Sequence, residues 1–113
     1  MNTTVKNRVQ LVGNLGSSPD VKQFDNNKLA KFAVATSEYK RTKNGESTTE
    51  TQWHNIVAWG KLAEIAEKYL EKGSQVLIDG KLNTRHYTDK EGNKRYVTEI
   101  IANEVVLMNK KHA

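Results

Sequence analysis

The sequence contains no cysteine, so disulfide staples, thiolate nucleophiles and cysteine-based zinc sites are excluded at once. It has a single proline, Pro19, in a Gly16-Ser17-Ser18-Pro19-Asp20 cluster that reads as a loop. No apolar run approaches the length of a membrane span. The opening residues 1–12 are polar and alternating where a signal peptide needs a continuous apolar stretch. A soluble, intracellular protein is expected, and a reducing cytosol fits the lack of cysteine. Acidic side chains are the scarcer charge, 13 against 18 Lys and Arg, and the formal net charge of +5 favours polyanionic partners. Histidines number 3, at 54, 86 and 112, with no spacing that gathers a metal, and glycines are scattered without a phosphate-loop or nucleophile-elbow pattern. The glutamates at 64, 67 and 71 fall on one helix face and read as a solvated surface. Neither an enzyme nor a cofactor or metal is expected.

What is present is strand patterning interrupted once. The 113 residues fit one domain, with a core over about 5–108 and a short basic tail at 109–113. Over 8–15, Val9, Leu11, Gly13 and Leu15 alternate with Arg8, Gln10 and Asn14, the period of a strand. A short extended piece at 21–24 leads through Asp25-Asn26-Asn27 into a second alternating run at 29–38. Residues 40–49 contain nothing apolar and read as a long basic hairpin loop with Asn44-Gly45 at its tip. The run 51–59 carries large residues on both faces, with Trp53, Asn55, Val57 and Trp59 on one side and His54, Ile56 and Ala58 on the other. Helical spacing appears only over 61–72, before Gly73. Strand patterning resumes at 76–83 and 95–108 around a second hairpin tip at 89–93. An all-β chain with one helix between its third and fourth main strands predicts an OB-fold, the five-stranded Greek-key β-barrel, in preference to a small β-sandwich with an incidental helix.

The chemistry-bearing signal is aromatic side chains interleaved with cations. Tyr39 adjoins Lys40, Arg41 and Lys43; Trp53 and Trp59 share a strand face, with Lys61 just beyond; Arg85 and Tyr87 lead into Lys90, Lys94 and Arg95. Unpaired bases expose ring faces that stack on aromatics while cations follow the phosphates, so this pairing suits single-stranded nucleic acid; a duplex hides those faces. Trp53, Trp59 and Tyr87 are expected to be exposed stacking residues, because Asn55 shares a face with both tryptophans and a closed core would leave its amide unpaired. Phe32 and Tyr69, flanked by apolar positions, are expected in the core.

The chain resembles the bacterial single-stranded DNA-binding proteins that form OB-fold homotetramers. The resemblance runs from about Val5 to Met108 and is carried by Val9-Gln10-Leu11-Val12-Gly13-Asn14-Leu15-Gly16, Phe32-Ala33-Val34-Ala35-Thr36-Ser37-Glu38, Trp53-His54-Asn55-Ile56-Val57-Ala58-Trp59-Gly60-Lys61, Tyr69-Leu70-Glu71-Lys72-Gly73-Ser74-Gln75-Val76, Gly80-Lys81-Leu82-Asn83-Thr84-Arg85 and Tyr87-Thr88-Asp89. It implies non-catalytic binding of single-stranded DNA during replication, recombination and repair, with bases stacked at Trp53, Trp59 and Tyr87. Tyr39 stands one place before the family's fourth ring, whose column holds Lys40. The resemblance also implies a homotetramer, with His54 near subunit contacts. Relatives continue into a linker and an acidic tip that recruits replication and repair proteins; this sequence ends at Asn109-Lys110-Lys111-His112-Ala113, so no such recruitment is expected of it. A truncation and a tail-less relative from a phage, mobile element or conjugative plasmid both fit that ending, and the resemblance implies a place in the bacterial cytoplasm or nucleoid. Two rival functions share the fold: a primosome-type OB accessory acting mainly through protein contacts, and a small hydrolase or oligosaccharide-binding OB domain.

Overall fold

The structure is a computed structural model and describes residues 6–108; the basic tail at 109–113 lies outside them. Its elements are β1 (Val9–Leu15), β2 (Asp20–Gln23), β3 (Lys28–Arg41), β4 (Ser47–Trp59), α1 (Lys61–Tyr69), β5 (Gln75–Thr88) and β6 (Lys94–Leu107). The sheet order is β1-β5-β6-β4-β3-β2, and an additional β1–β3 pairing closes it into a barrel. Six strands by chain order make five around the barrel. β1 pairs with Val34 and Ala35 of β3, and β2 pairs with residues 28–31 of that same strand, so β1 and β2 are two halves of one barrel strand broken at the Pro19 loop. All pairings are antiparallel except β4 with β6, which meet at Ile56↔Ile100 and Val57↔Ile101. This is the expected OB-fold.

Alternation dictates the core. Ala30, Phe32 and Val34 of β3 pair with Ala58, Ile56 and His54 of β4, and the apolar members of these pairs project inward with Leu15, Val76, Ile78 and Ile100. α1 closes one end of the barrel through Ala63 and Ala66, one turn apart, and through Leu70 just past its end. The sequence expectation carried the helix to Lys72; it ends at Tyr69 because Leu70 switches to extended backbone and turns its side chain into the core. Gly73 then donates its N–H to Leu15 O at 2.9 Å, linking the turn to β1. Tyr69 departs from expectation: it is 54% exposed, outside the Ala63, Ala66, Leu70 spacing, with Lys68 Nζ 5.4 Å from its ring centroid. Phe32 is buried as expected.

Two further features hold the barrel closed. Between Asp79 and Gly80 the β5–β6 register slips, and a Cβ on Gly80 would lie 2.3 Å from Ile101 O, so only glycine allows the backbones to approach there. Beside it, Arg8 grips the buried Asp79 with two bonds, Nε to Oδ1 at 3.2 Å and Nη2 to Oδ2 at 2.9 Å. The hydrogen bonds from Arg8 hold the Asp79 carboxyl below the usual carboxylate range.

Both hairpins are longer than their sequence patterns suggested. β3 pairs with β4 as far as Arg41↔Ser47, so the stretch read as a loop over 40–49 is strand except for a turn at residues 42–46. β5 likewise extends past Asn83 to Thr88, paired with Lys94. These distal arms carry isolated rings but no continuous apolar face, so they lack the apolar alternation by which a strand is recognised; backbone pairing with the partner strand carries them.

Candidate nucleic-acid interface

Residues directly opposite in a ladder project to the same side, so the register assigns each expected site residue to a face. On β4, Trp53 and Trp59 stand opposite Ala35 and Leu29 of β3, and Tyr39 stands opposite Thr49, an even number of residues from both tryptophans. Tyr39 therefore shares their face. Across the parallel contact, Val57 of that face meets Ile101 of β6; stepping by twos along β6 reaches Arg95, whose partner is Tyr87. All four candidate rings thus project from the outer side of the β3-β4-β6-β5 surface. Their exposures, 71% for Tyr39, 60% for Trp53, 43% for Trp59 and 48% for Tyr87, rule out core filling. Asn55 is exposed on the same face, as its amide requires.

Trp53 owes its position to a glycine. A Cβ built on Gly16 would meet the far edge of the Trp53 ring at 2.6 Å, so the indole lies against bare backbone in the loop after β1. Gly16 is itself anchored, donating its N–H to Ala33 O at 3.1 Å. The far edge of the ring is supported, and most of the residue is left to solvent.

The candidate cations divide into tied and untied. Lys40 falls on the opposite face from Tyr39, where its Nζ lies 2.8 Å from Glu50, and that hydrogen bond raises its pKa. Arg85 projects on the ring face with Nε 3.3 Å from the buried Glu99. Arg95, also on that face, donates from Nε to Asp89 Oδ2 at 2.9 Å. Asp89 accepts in addition from the backbone N–H groups of Glu91 and Asn93, both at 2.9 Å. These bonds, Arg95 foremost, hold its carboxyl below the usual range. Among the described residues, Arg41, Lys43, Lys61, Lys90 and Lys94 form no ion pair. Arg41 lies on the ring face by register; Lys43 and Lys90 sit in the hairpin turns; Lys94, paired with Thr88, projects to the other side; Lys61 opens α1 directly after the Trp59 strand.

A cleft of about 250 Å³ separates β4 from the β5–β6 arm, lined among others by Lys31, Asn55, Val57, Arg85 and Glu99. Lys31 and Glu99 are not among the residues that the sequence pattern marks, Lys31 because its neighbour Phe32 reads as core and Glu99 because it adjoins no aromatic; only the packing of the two arms brings them beside Asn55 and Arg85. His54 projects to the opposite side from Trp53, half-buried, its Nε2 2.9 Å from Thr36 Oγ1. It stands apart from the ring face, as the alternation of β4 predicts.

Such a surface can hold a flexible polyanion carrying flat rings. A model described as the single-strand binding protein family matches residues 6–108. The chain is 45% identical over 107 residues to single-stranded DNA-binding protein 1 of Xylella fastidiosa (strain 9a5c), covering 93% of this chain and 79% of that relative. Among solved structures it resembles the Plasmodium falciparum SSB complex with ssDNA, at a TM-score of 0.84 and 32% identity, covering 96% of this chain and all of that one. A match across all the described residues, together with this fold, makes the chain a member of the single-strand binding protein family.

Proposed function

We propose that this single-stranded DNA-binding protein holds its ligand across the face bearing Tyr39, Trp53, Trp59 and Tyr87, and that binding, with no chemical step, is its activity. The observation that carries this is the register: it brings four rings, each two-fifths exposed or more, to one side of the barrel beside cations of both hairpins. Each stacked base contributes roughly 1–3 kcal/mol with little regard to sequence, and phosphates displacing counterions add a salt-dependent part. Arg41 and Lys43 are available to phosphates directly. Arg85 and Arg95 keep their two terminal nitrogens beyond the Nε committed to a carboxylate, so they can meet a phosphate without first abandoning Glu99 or Asp89. A primosome-type accessory, with nucleic acid only as a secondary ligand, is expected to carry fewer rings than the four on this face. The process served is replication, recombination and repair, wherever single strands are exposed.

Titration with oligo-dT at low and high salt, following tryptophan emission, tests this. Strong quenching and a steep loss of affinity with salt are expected. Unchanged emission at saturation would remove the stacking assignment, and a flat salt response would point to a protein or sugar ligand.

The chain assembles as a homo-oligomer, and we infer a tetramer. On the outer side of β1, β5 and β6, Val12 stands opposite Leu77 and Leu77 opposite Val106, a row of apolar side chains across three strands that a lone barrel leaves open to water. His54 is read as an assembly residue that supports a subunit contact through its bond with Thr36. His54→Tyr should sediment as smaller species at low concentration and recover quenching at high concentration, where mass action restores the assembly. A variant that sediments like the unaltered chain would remove His54 from the interface.

A further inference from the structure

Phe24 is an aromatic that the sequence offers no reason to notice, since it ends a short extended piece before turn residues. The tertiary structure puts it beside the site. Lys22 of β2 stands opposite Leu29 of β3, which stands opposite Trp59 of β4, so these three share the outer face. Phe24, two residues beyond Lys22, reaches the same edge: its ring centroid is 6.2 Å from that of Trp59, with the planes tilted by 32°. The two rings do not hide one another, for Phe24 remains 49% exposed.

The turn that presents this ring is tied down. Phe24 N–H donates to Asn27 O at 2.7 Å, and Gln23 Nε2 donates to both Phe24 O and Asn27 O, at 2.8 and 3.2 Å. Just after the turn, Lys28 is held to Glu67 of α1 at 2.6 Å. A ring already held in place loses little freedom when a ligand arrives, so more of its stacking energy appears as affinity. Lys22, on the same face and without an ion pair among the described residues, is placed to meet a phosphate beside it.

We propose that Phe24 is a further base-stacking residue, and that the strand of DNA continues from Trp59 across β3 onto the β2 edge, where Phe24 and Trp59 form a two-ring platform. This rests on the reading of the ring face as the DNA site. The competing role for Phe24 is apolar cover for the edge of Trp59, and leucine separates the two because it keeps cover and removes the ring. Phe24→Leu should bind oligo-dT about five- to tenfold more weakly at fixed salt, the lower part of the range for a stacked base. Phe24→Trp should keep the unaltered affinity and enlarge the quenched amplitude, since the added indole is itself stacked. Binding by Phe24→Leu as tight as the unaltered chain, or added emission in Phe24→Trp that survives saturation, would overturn the inference while leaving the ring-face reading intact. Absence of quenching in the unaltered chain would instead defeat that reading, and this inference with it.

Discussion

The two long hairpins use one architecture and handle charge in opposite ways. Both run well past the closed barrel, both turn through a glycine of positive φ, and both carry aromatics on the outer face. In the β3–β4 hairpin the ring-face cation Arg41 and the turn's Lys43 are untied, and the one ion pair, Lys40 with Glu50, is placed on the back. In the β5–β6 hairpin both ring-face arginines are held by carboxylates, Arg85 by Glu99 and Arg95 by Asp89, and that Asp89 also organises the turn. The first arm therefore offers untied charge to the proposed DNA phosphates, and the second offers charge already oriented. Untied charge yields salt-sensitive affinity at the cost of side-chain entropy; oriented charge yields register, with part of its field cancelled in advance.

The largest effect should come from the rings. Trp53→Ala is expected to weaken oligo-dT binding by roughly 1–3 kcal/mol, with the fold intact by circular dichroism, because its ring is exposed and rests on Gly16 without entering the core. Tyr87→Ala, on the other arm, should cost an amount in that same range. If only one arm's ring matters, the DNA follows one hairpin and the shared face has no functional meaning.

Next is the support beneath Trp53. Gly16→Ala places a methyl 2.6 Å from the ring edge and must push the indole away. Since the ring can swing into solvent, thermal stability should move little while affinity falls by a part of the Trp53→Ala effect. A stability loss as large as the binding loss would show that the loop, not the ring, gave way.

The charge contrast predicts a difference in salt dependence. Removing two phosphate contacts from single-stranded DNA lowers the log–log salt slope by about 1.4. Arg41→Ala with Lys43→Ala should approach that change. Arg85→Ala with Arg95→Ala should change the slope less, because each arginine's field is already offset by its carboxylate. Equal changes from the two pairs would erase the distinction between the arms.

The smallest effect is in acid. The Asp89 pKa is lowered by folding, so its carboxylate stabilises the β5–β6 turn fully at neutral pH, and that stabilisation is lost as pH falls below the usual carboxylate range through the lowered value. Amide hydrogen exchange at Glu91 and Asn93, which donate their N–H groups to Asp89, should then quicken relative to the intrinsic rate at each pH. The Gly45 amide, bonded to Thr42 O in the other turn, should not respond in step. Parallel acceleration at both turns would mean that the barrel as a whole is loosening, with Asp79 and Arg8 as the pair to suspect.

The sequence by itself determined the barrel, its single helix, the exposed rings at Trp53, Trp59 and Tyr87, and the family, because inward strands alternate and a family's strings keep their spacing. It also put Tyr39 one place before the family's ring column. Letters alone could not say which side of an arm that leaves Tyr39 on, since two neighbouring residues in a polar strand look alike without their partner strand. The ladder decided it, bringing Tyr39 to the ring face and sending Lys40 to the back. The ion pairs that separate the two hairpins were equally illegible: Arg85 and Glu99 are far apart in the chain, and only antiparallel pairing makes them neighbours. Phe24 is the clearest case. Its role depends on a strand break at Pro19 and on a path across three strands to Trp59, and a contact between elements so distant in sequence exists only once the sheet has closed.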